Sequence, residues 1–183
     1  EEGLYSFSDS GIPKVSEFRS TFIDALNERD FDWAEEFCNK FIELVNPDER
    51  EDLRNYYTSR LAYERNDLDT ALKLVSKVNI NQLVFKLDTR NLISKIYFDT
   101  GSYDSLLSLL DSYTKLTGRP GVRSSAIQIR HRKYAGYLKR LVLLKERRAD
   151  PAKFAELKNR MAGDNFTSKT WLLERTEKEQ RRT

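Results

Sequence analysis

The stretch YFDTGSYDSLLSLLDSY, from Tyr97 to Tyr113, places Gly101 between two segments whose apolar residues recur three and four positions apart. Apolar residues at that spacing line one face of a helix, so the stretch predicts a helix, a short turn and a second helix. Two earlier stretches have the same form: NDLDTALKL begins at Asn66 and RDFDWAEEF begins at Arg29. The turns are 37 and 35 residues apart, which indicates a repeated helix-turn-helix unit.

Each of the three turns follows a further amphipathic segment that supplies the first helix of its unit. The residues on these first apolar faces are Phe18, Phe22, Ala25 and Leu26, then Tyr57, Leu61 and Ala62, then Leu92, Ile93, Ile96 and Tyr97. Polar residues mark where helices begin. Asn46 and Asp150 each stand before a proline, a combination typical of an N-cap and a first helical residue. Asp30, Asp67 and Ser102 can cap the second helices in the same way.

These patterns predict an all-α fold of about nine helices, arranged as a superhelix of stacked antiparallel helix pairs. The predicted helices cover residues 15–28, 31–45, 48–65, 68–78, 82–100, 103–117, 124–147, 151–161 and 168–181. We expect a polar N-terminal segment at 1–14, three repeat units at 15–117, and a basic helical pair with a closing helix at 118–183, all in one continuous array.

Composition narrows the class of protein. The chain has 183 residues and a single cysteine, Cys38, which excludes an internal disulfide framework and suits a reducing compartment. No stretch of about 18 uninterrupted apolar residues is present to span a bilayer. The sequence therefore predicts a soluble, cytoplasmic protein without membrane contact. Its polar start lacks Met and a signal pattern, which we interpret as the C-terminal part of a larger protein.

The repeated unit resembles the tetratricopeptide repeat, most clearly from Tyr97 to Tyr113 and over roughly 18–117 as a whole. It departs from that family at Phe22, where a small residue is usual, and at Leu106, which replaces an alanine. The tail KTWLLER, from Lys169, is similar to the closing helix of a group of uncharacterised bacterial, Bacteroidetes-type helical proteins.

The tetratricopeptide resemblance implies a peptide-binding groove on the inner face of the first helices. The groove positions then fall on Arg19, Ile23 and Leu26, on Tyr56, Arg60 and Tyr63, and on Asn91, Lys95 and Phe98. Arg60 and Lys95 would meet carboxylates of the peptide, while Tyr63 and Phe98 would supply apolar contacts. Asn91 and Lys95 resemble part of the carboxylate clamp found in some members of that family.

Charge is distributed unevenly along the chain. Residues 1–114 contain 13 Lys and Arg against 22 Asp and Glu, whereas residues 115–148 contain 11 Lys and Arg against Glu146 alone. A basic segment after an acidic one can pair with it internally, attract an acidic partner, or bind nucleic acid. All three interpretations stay open at the level of sequence.

The segment QIRHRKYAGYLKR, residues 128–140, contains five Lys and Arg and the one histidine of the chain. Helical spacing places His131 on an apolar stripe, where we predict a hydrogen-bonded core histidine. The stripe residues are Ile127, His131, Tyr134, Leu138 and Leu141. Arg130, Lys133, Tyr137 and Arg140 follow a second line, with Arg132 and Lys139 beyond it. The candidate basic patch is Arg123, Arg130, Arg132, Lys133 and Arg140.

The sequence offers few groups for catalysis. Cys38 lies between Phe37 and Phe41 on an apolar face, which favours a buried side chain over a nucleophile. Zinc-protease, zinc-ribbon, Rossmann and P-loop motifs do not occur, and the acidic clusters coincide with helix starts. We predict no enzyme, no cofactor and no metal site. The expected function is a helical-repeat scaffold that binds a protein or peptide partner, with an acidic partner among the expected ones. The alternative is nucleic-acid binding through the basic helix at 119–148.

Overall fold

A computed structural model describes residues 15–118 and 124–182 of the chain. These residues form nine helices and no strand, which confirms the all-α class and the expected number of helices. The helices are α1 (Val15–Glu28), α2 (Phe31–Ile42), α3 (Pro47–Glu64), α4 (Leu68–Val75), α5 (Leu83–Asp99), α6 (Tyr103–Leu116), α7 (Ala126–Glu146), α8 (Pro151–Ala162) and α9 (Lys169–Gln180). None of these helices is both long and apolar enough to cross a membrane.

The same backbone turn separates the helices of four successive pairs. Arg29, Asn66 and Gly101 adopt left-handed φ angles of 63°, 63° and 74°, and Arg148 adopts 46° between α7 and α8. A left-handed residue after the last helical turn lets following N–H groups reach back to otherwise unpaired carbonyls. The three turn positions predicted from the sequence therefore terminate the preceding helices. Arg148 is a fourth such position, which the repeat pattern in the sequence did not show.

The turn after α3 shows how this stop is built. Asn66 donates its backbone N–H to the Tyr63 carbonyl at 2.9 Å, and Asp67 donates to the Ala62 carbonyl at 2.8 Å. This pair of bonds is the Schellman arrangement. Equivalent bonds join Arg29 to Leu26 and Asp30 to Ala25, Gly101 to Phe98 and Ser102 to Tyr97, and Arg148 to Lys145 and Ala149 to Leu144.

The residue after each left-handed position also starts the next helix in the first three pairs. Asp30 and Asp67 accept hydrogen bonds from the backbone N–H three residues on, as predicted for N-caps. Ser102 differs, because its hydroxyl lies 3.1 Å from the Thr100 hydroxyl and makes no cap bond in the described structure. Of these three residues, the two aspartates therefore cap the following helix with their side chains and Ser102 does not.

The chain divides into two compact units, one that ends at Gln82 and holds α1 to α4, and one that begins at Leu83 and holds α5 to α9. This division differs from the sequence-based one, which grouped residues 15–117. The third helix pair belongs with the basic helices because α7 packs against both α5 and α6.

The first unit has an aromatic core. The Phe18 ring lies 4.8 Å from the Phe37 ring in a stacked arrangement and 4.4 Å from the Tyr57 ring edge to face. Cys38 is buried beside these rings, as predicted, and burial raises the pKa of its thiol. The cysteine is therefore a core residue with little thiolate character at neutral pH.

The second unit is organised around α7, which contacts α5, α6, α8 and α9. Tyr134, Leu138 and Leu141 of the predicted stripe are fully buried, and Ile127 packs at the edge of the same core. Burial of one α7 face leaves the opposite face, with its arginines and lysines, at the surface of this unit.

Candidate functional site

A surface cleft of about 270 Å³ lies between α7 and α8. Its lining residues are Lys133, Gly136, Tyr137, Arg140, Lys153, Glu156, Leu157 and Arg160. Four of these eight residues are cations and one is an anion, so the lining carries a formal net charge of +3. The cleft is an electropositive concavity, the shape and charge that concentrate an anionic ligand.

The two helices present this lining for a simple geometric reason. Lys133, Gly136, Tyr137 and Arg140 recur at three- and four-residue steps along α7, so they share one face. The residues from α8 recur at the same steps, and Leu157 among them is buried in the core of the unit. The turn at Arg148 joins the two helices and brings these faces together.

Arg140 is the least engaged cation of the cleft. Its side chain is exposed and has no hydrogen bond or ion pair among the described residues. Lys153 and Arg160, by contrast, share the Glu156 carboxylate at 3.5 Å and 3.3 Å. Exposed pairs of this kind contribute little stability, so these cations can exchange their partner at low cost.

Asp164 binds two of the residues that line the cleft. Its carboxylate accepts a hydrogen bond from the Lys133 ammonium at 2.7 Å and another from the Tyr137 hydroxyl at 2.5 Å. The bond from Lys133, followed by that from Tyr137, lowers the pKa of the Asp164 carboxyl. Burial and the neighbouring carboxylate raise the pKa of Tyr137 to about 12, so its hydroxyl remains a donor. The Tyr137 ring packs against Phe166 with 5.1 Å between centroids.

The remaining residues of the predicted basic patch have different roles. Arg132 donates to the Thr117 carbonyl at 3.4 Å and to the Gly118 carbonyl at 3.1 Å, so it closes the C-terminal end of α6. Arg130 is exposed and has no ion pair among the described residues. Arg123 lies outside the residues that the structure describes. Among the described residues of the predicted patch, Arg130, Lys133 and Arg140 are those that do not cap another helix.

Lys139 shows that part of the basic helix is neutralised internally. Its ammonium pairs with the Asp111 carboxylate of α6 at 2.8 Å, and this contact lowers the pKa of Asp111. The two sequence interpretations, internal pairing and an available basic surface, thus apply to different residues of the same helix.

Two further α7 residues shape the cleft face. Ile129 is 38% exposed, a large apolar side chain at the surface, and it precedes Lys133 by one helical turn. Gly136 lies in the helix interior with an ordinary backbone conformation, and a Cβ atom built on it would meet no atom within 4 Å. The cleft therefore has an apolar neighbour and an open floor as well as cations.

The groove residues of the first unit are mostly buried. Tyr56 is fully buried and Tyr63 is 9% exposed, so neither presents a surface to a peptide. The Arg60 guanidinium lies 6.0 Å from the centre of the Tyr56 ring, and Arg19 is half-buried. The groove prediction is corrected here: packing of α3 uses the two tyrosines as core residues.

The groove residues of the second unit show the same pattern. Asn91 and Phe98 are buried, and the Asn91 amide oxygen accepts a hydrogen bond from Ser168 at 3.1 Å. The Lys95 ammonium lies 5.5 Å from the centre of the Trp171 ring, which belongs to α9. The closing helix thus occupies the face that the resemblance had assigned to a peptide.

His131 is the hydrogen-bonded core histidine that its spacing predicted. Only 2% of its surface is exposed, and its Nδ1 contacts the Tyr113 hydroxyl. The Tyr113 hydroxyl also donates to the Leu87 carbonyl at 3.1 Å, so this residue of α6 links α5 to α7. Among the described residues, no three His, Cys, Asp or Glu side chains converge as a metal site would require.

Sequence reasoning missed the contribution of α8 to the cleft. The spacing of Lys153, Glu156 and Arg160 was visible, as was a glycine in the middle of α7. These signals gain meaning only when α7 and α8 are known to lie side by side.

The fold and the cleft together define a class: an all-α protein of paired helices with an electropositive cleft between two of them. No protein-family model matches the sequence, and neither a curated protein nor a solved structure matches the chain.

Proposed function

We propose that the chain is a non-enzymatic helical scaffold that binds a protein or peptide partner, with helix pairs stacked in the manner of tetratricopeptide repeats. The left-handed turn that recurs at Arg29, Asn66, Gly101 and Arg148 supports the repeat interpretation. The observation that carries the binding function is the electropositive cleft between the packed helices α7 and α8. A preformed cleft on packed helices loses little conformational freedom when it is filled, so the free energy of its contacts goes into affinity.

Several contacts favour a protein partner over nucleic acid. Arg132 is bound to carbonyl groups, and Lys139 is paired with Asp111, so a continuous row of available cations is missing along the described part of α7. The Tyr137 ring is packed on Phe166, whereas base stacking needs an open aromatic face. Residues 1–114, with 13 cations and 22 anions, would repel a long polyanion.

Capture of a partner tests this function. We expect chemical crosslinking of the tagged chain in its source cell to yield a reproducible protein partner that binds again when both proteins are purified. The second step excludes adventitious capture. Failure of every captured protein to bind in purified form would contradict the scaffold function.

Nucleic-acid binding is the alternative, and it has its own measurement. Titration with oligothymidylate at low salt should show no binding if the partner is a protein. Tight binding that falls steeply as salt is added would instead establish the alternative, because release of counterions makes phosphate binding strongly salt-dependent.

A further inference from the structure

We propose that the cleft between α7 and α8 is the partner site and that it binds an acidic peptide segment, with carboxylates on Arg140 and Arg130 and an aliphatic side chain beside Ile129. This inference rests on the proposed function and adds the site and the chemistry of its ligand. It begins from one contrast: Arg130 and Arg140 are exposed without a carboxylate among the described residues, while their neighbour Lys139 has one.

The cations of the cleft select the chemical group. A guanidinium presents a planar fork of donors that matches a carboxylate in a two-point contact, and such charge-assisted bonds are the stronger class of hydrogen bond. Arg140 offers this fork at the cleft itself, and Arg130 extends it towards the start of α7. Lys133 keeps two of its three N–H donors beyond the bond to Asp164.

The carboxylates already present limit what can enter. Glu156 lines the cleft and Asp164 borders it, so the formal net charge of the lining and Asp164 together is +2. A small number of acidic side chains is enough to balance that charge. A polymer with a phosphate at every step would meet both carboxylates as well as the cations.

The size of the cleft favours side chains over a cofactor. Its volume of about 270 Å³ lies at or below the lower end of the roughly 300–1,000 Å³ usual for small-molecule pockets. Leu157 and Ile129 add apolar surface at the lining and at its edge. Charged groups beside apolar ones are what an extended or helical acidic peptide with an aliphatic residue would contact.

Gly136 gives the cleft an open floor. A glycine inside a helix is less favourable than an alanine, and a Cβ atom built here would meet no atom within 4 Å. The missing side chain leaves room for another chain to approach the α7 backbone where it lines the cleft.

Binding of defined polymers to the full chain tests the proposal. Poly-L-glutamate is the probe, and oligothymidylate at the same ionic strength is its comparison. The cleft variants are the double substitution Arg130→Gln with Arg140→Gln and, separately, Gly136→Leu, which fills the floor. The matched control is Lys73→Gln with Lys178→Gln, which removes two exposed cations from α4 and α9.

We expect poly-L-glutamate to bind the wild-type chain more tightly than oligothymidylate. The double substitution should weaken that binding at least tenfold, because it removes two charge-assisted contacts. Gly136→Leu should weaken it roughly tenfold, because its side chain occupies the floor of the cleft. The control should bind as the wild type does. Gly136→Leu should also raise the melting temperature, because it removes the helix penalty, so that weak binding cannot be attributed to unfolding.

Three results would overturn the site. They are absence of poly-L-glutamate binding to the wild-type chain, equal binding by the wild type and the cleft variants, and tighter binding of oligothymidylate. Binding of the partner captured by crosslinking distinguishes failure of the proposed site from failure of the scaffold function. If the cleft variants retain a partner that binds in purified form, the scaffold function stands and the site lies elsewhere; if the wild type has no such partner, the function itself fails.

Discussion

Arg175 holds Asp99 through two parallel hydrogen bonds, from Nε at 2.7 Å and from Nη2 at 3.1 Å, although 76 positions separate them in the chain. The pair attaches α9 to the end of α5 within the second unit. Its side chains are only 29% and 16% exposed, so it is shielded from solvent more than the Arg181–Glu177 pair of α9, whose side chains are 77% and 45% exposed. The Arg175 guanidinium also lies 5.4 Å from the centre of the Trp171 ring.

Arg175→Lys should destabilise the fold by about 1 kcal/mol, because an ammonium cannot make the two-point contact with Asp99. Arg181→Lys is the matched control, since Arg181 pairs with Glu177 at 3.0 Å but is 77% exposed. Urea unfolding followed by fluorescence should separate the two variants. Equal losses of stability in the two variants would show that the two-point geometry of the Arg175–Asp99 pair contributes nothing beyond its charge.

Gly136→Ala should stabilise the protein by about 0.5–1 kcal/mol through better helix propensity. Gly101→Ala is the matched control, because an added Cβ meets no atom within 4 Å at either glycine and only Gly101 has a left-handed φ, at 74°. Alanine at Gly101 should cost about 1–2 kcal/mol through backbone strain. Thermal unfolding of both variants tests these two expectations. A loss of stability in Gly136→Ala would contradict the open space beside Gly136 at the floor of the cleft.

Tyr113→Phe should lower the free energy of unfolding by about 1–3 kcal/mol, since it removes the buried hydroxyl that bonds to the Leu87 carbonyl and contacts His131 Nδ1. Tyr134→Phe removes a single bond, 2.9 Å to the Ser94 hydroxyl, and Ser94 keeps its bond to the Asn91 carbonyl. We therefore expect a smaller loss, about 1 kcal/mol. Denaturant titration of both variants should preserve this order; the reverse order would show that the His131 contact is not a stabilising one.

The Asp164 carboxyl should titrate below its ordinary value because Lys133 and then Tyr137 stabilise the charged form. Lys133→Met should raise this pKa towards the ordinary value, and Tyr137→Phe should raise it less. Since the folded-state pKa is the lower one, the contact stabilises the fold above the ordinary aspartate pKa of about 4, and that stability is lost as the pH falls through the folded value. Carbon NMR of the side-chain carboxyl measures the shift, and an unchanged pKa in Lys133→Met would disprove the ion pair.

Cys38 should resist thiol reagents in the native protein, because it is 3% exposed and burial raises the pKa of its thiol. Labelling should become fast only in urea concentrations that open the first unit. Reaction with Ellman's reagent, timed with and without urea, gives the measurement, and unfolded chain supplies the fast reference rate. Rapid labelling in buffer would mean that the α2 face is open.

Several helix boundaries could be predicted closely from the sequence. The bounds of α1 agree with the sequence prediction, and those of α3 differ by one residue at each end, because an N-cap with proline and a following turn residue define both ends locally. α2 and α4 end three residues before their predicted ends, at Ile42 and Val75. Apolar periodicity continues past both ends, and it cannot show where tertiary contacts stop supporting a helix.

The groove shows what periodicity could not predict. Tyr56 and Phe98 lie on helical faces that could equally line a groove or enter a core, and both are buried. For Phe98 the deciding contact is with Trp171 of α9, at 5.6 Å between ring centroids. A helix face is defined by spacing within one segment, whereas its burial depends on a segment far along the chain.

The sequence by itself determined the all-α class, the three repeated turns and the placement of His131 on a buried stripe, because φ angles, caps and helical faces follow from neighbouring residues. The tertiary structure alone decided which cations of α7 are paired. Asp164 lies 31 positions beyond Lys133, and Asp111 lies 28 positions before Lys139. The cleft exists for the same reason, since its charge is the sum of two helix faces that meet only after the chain has turned back at Arg148.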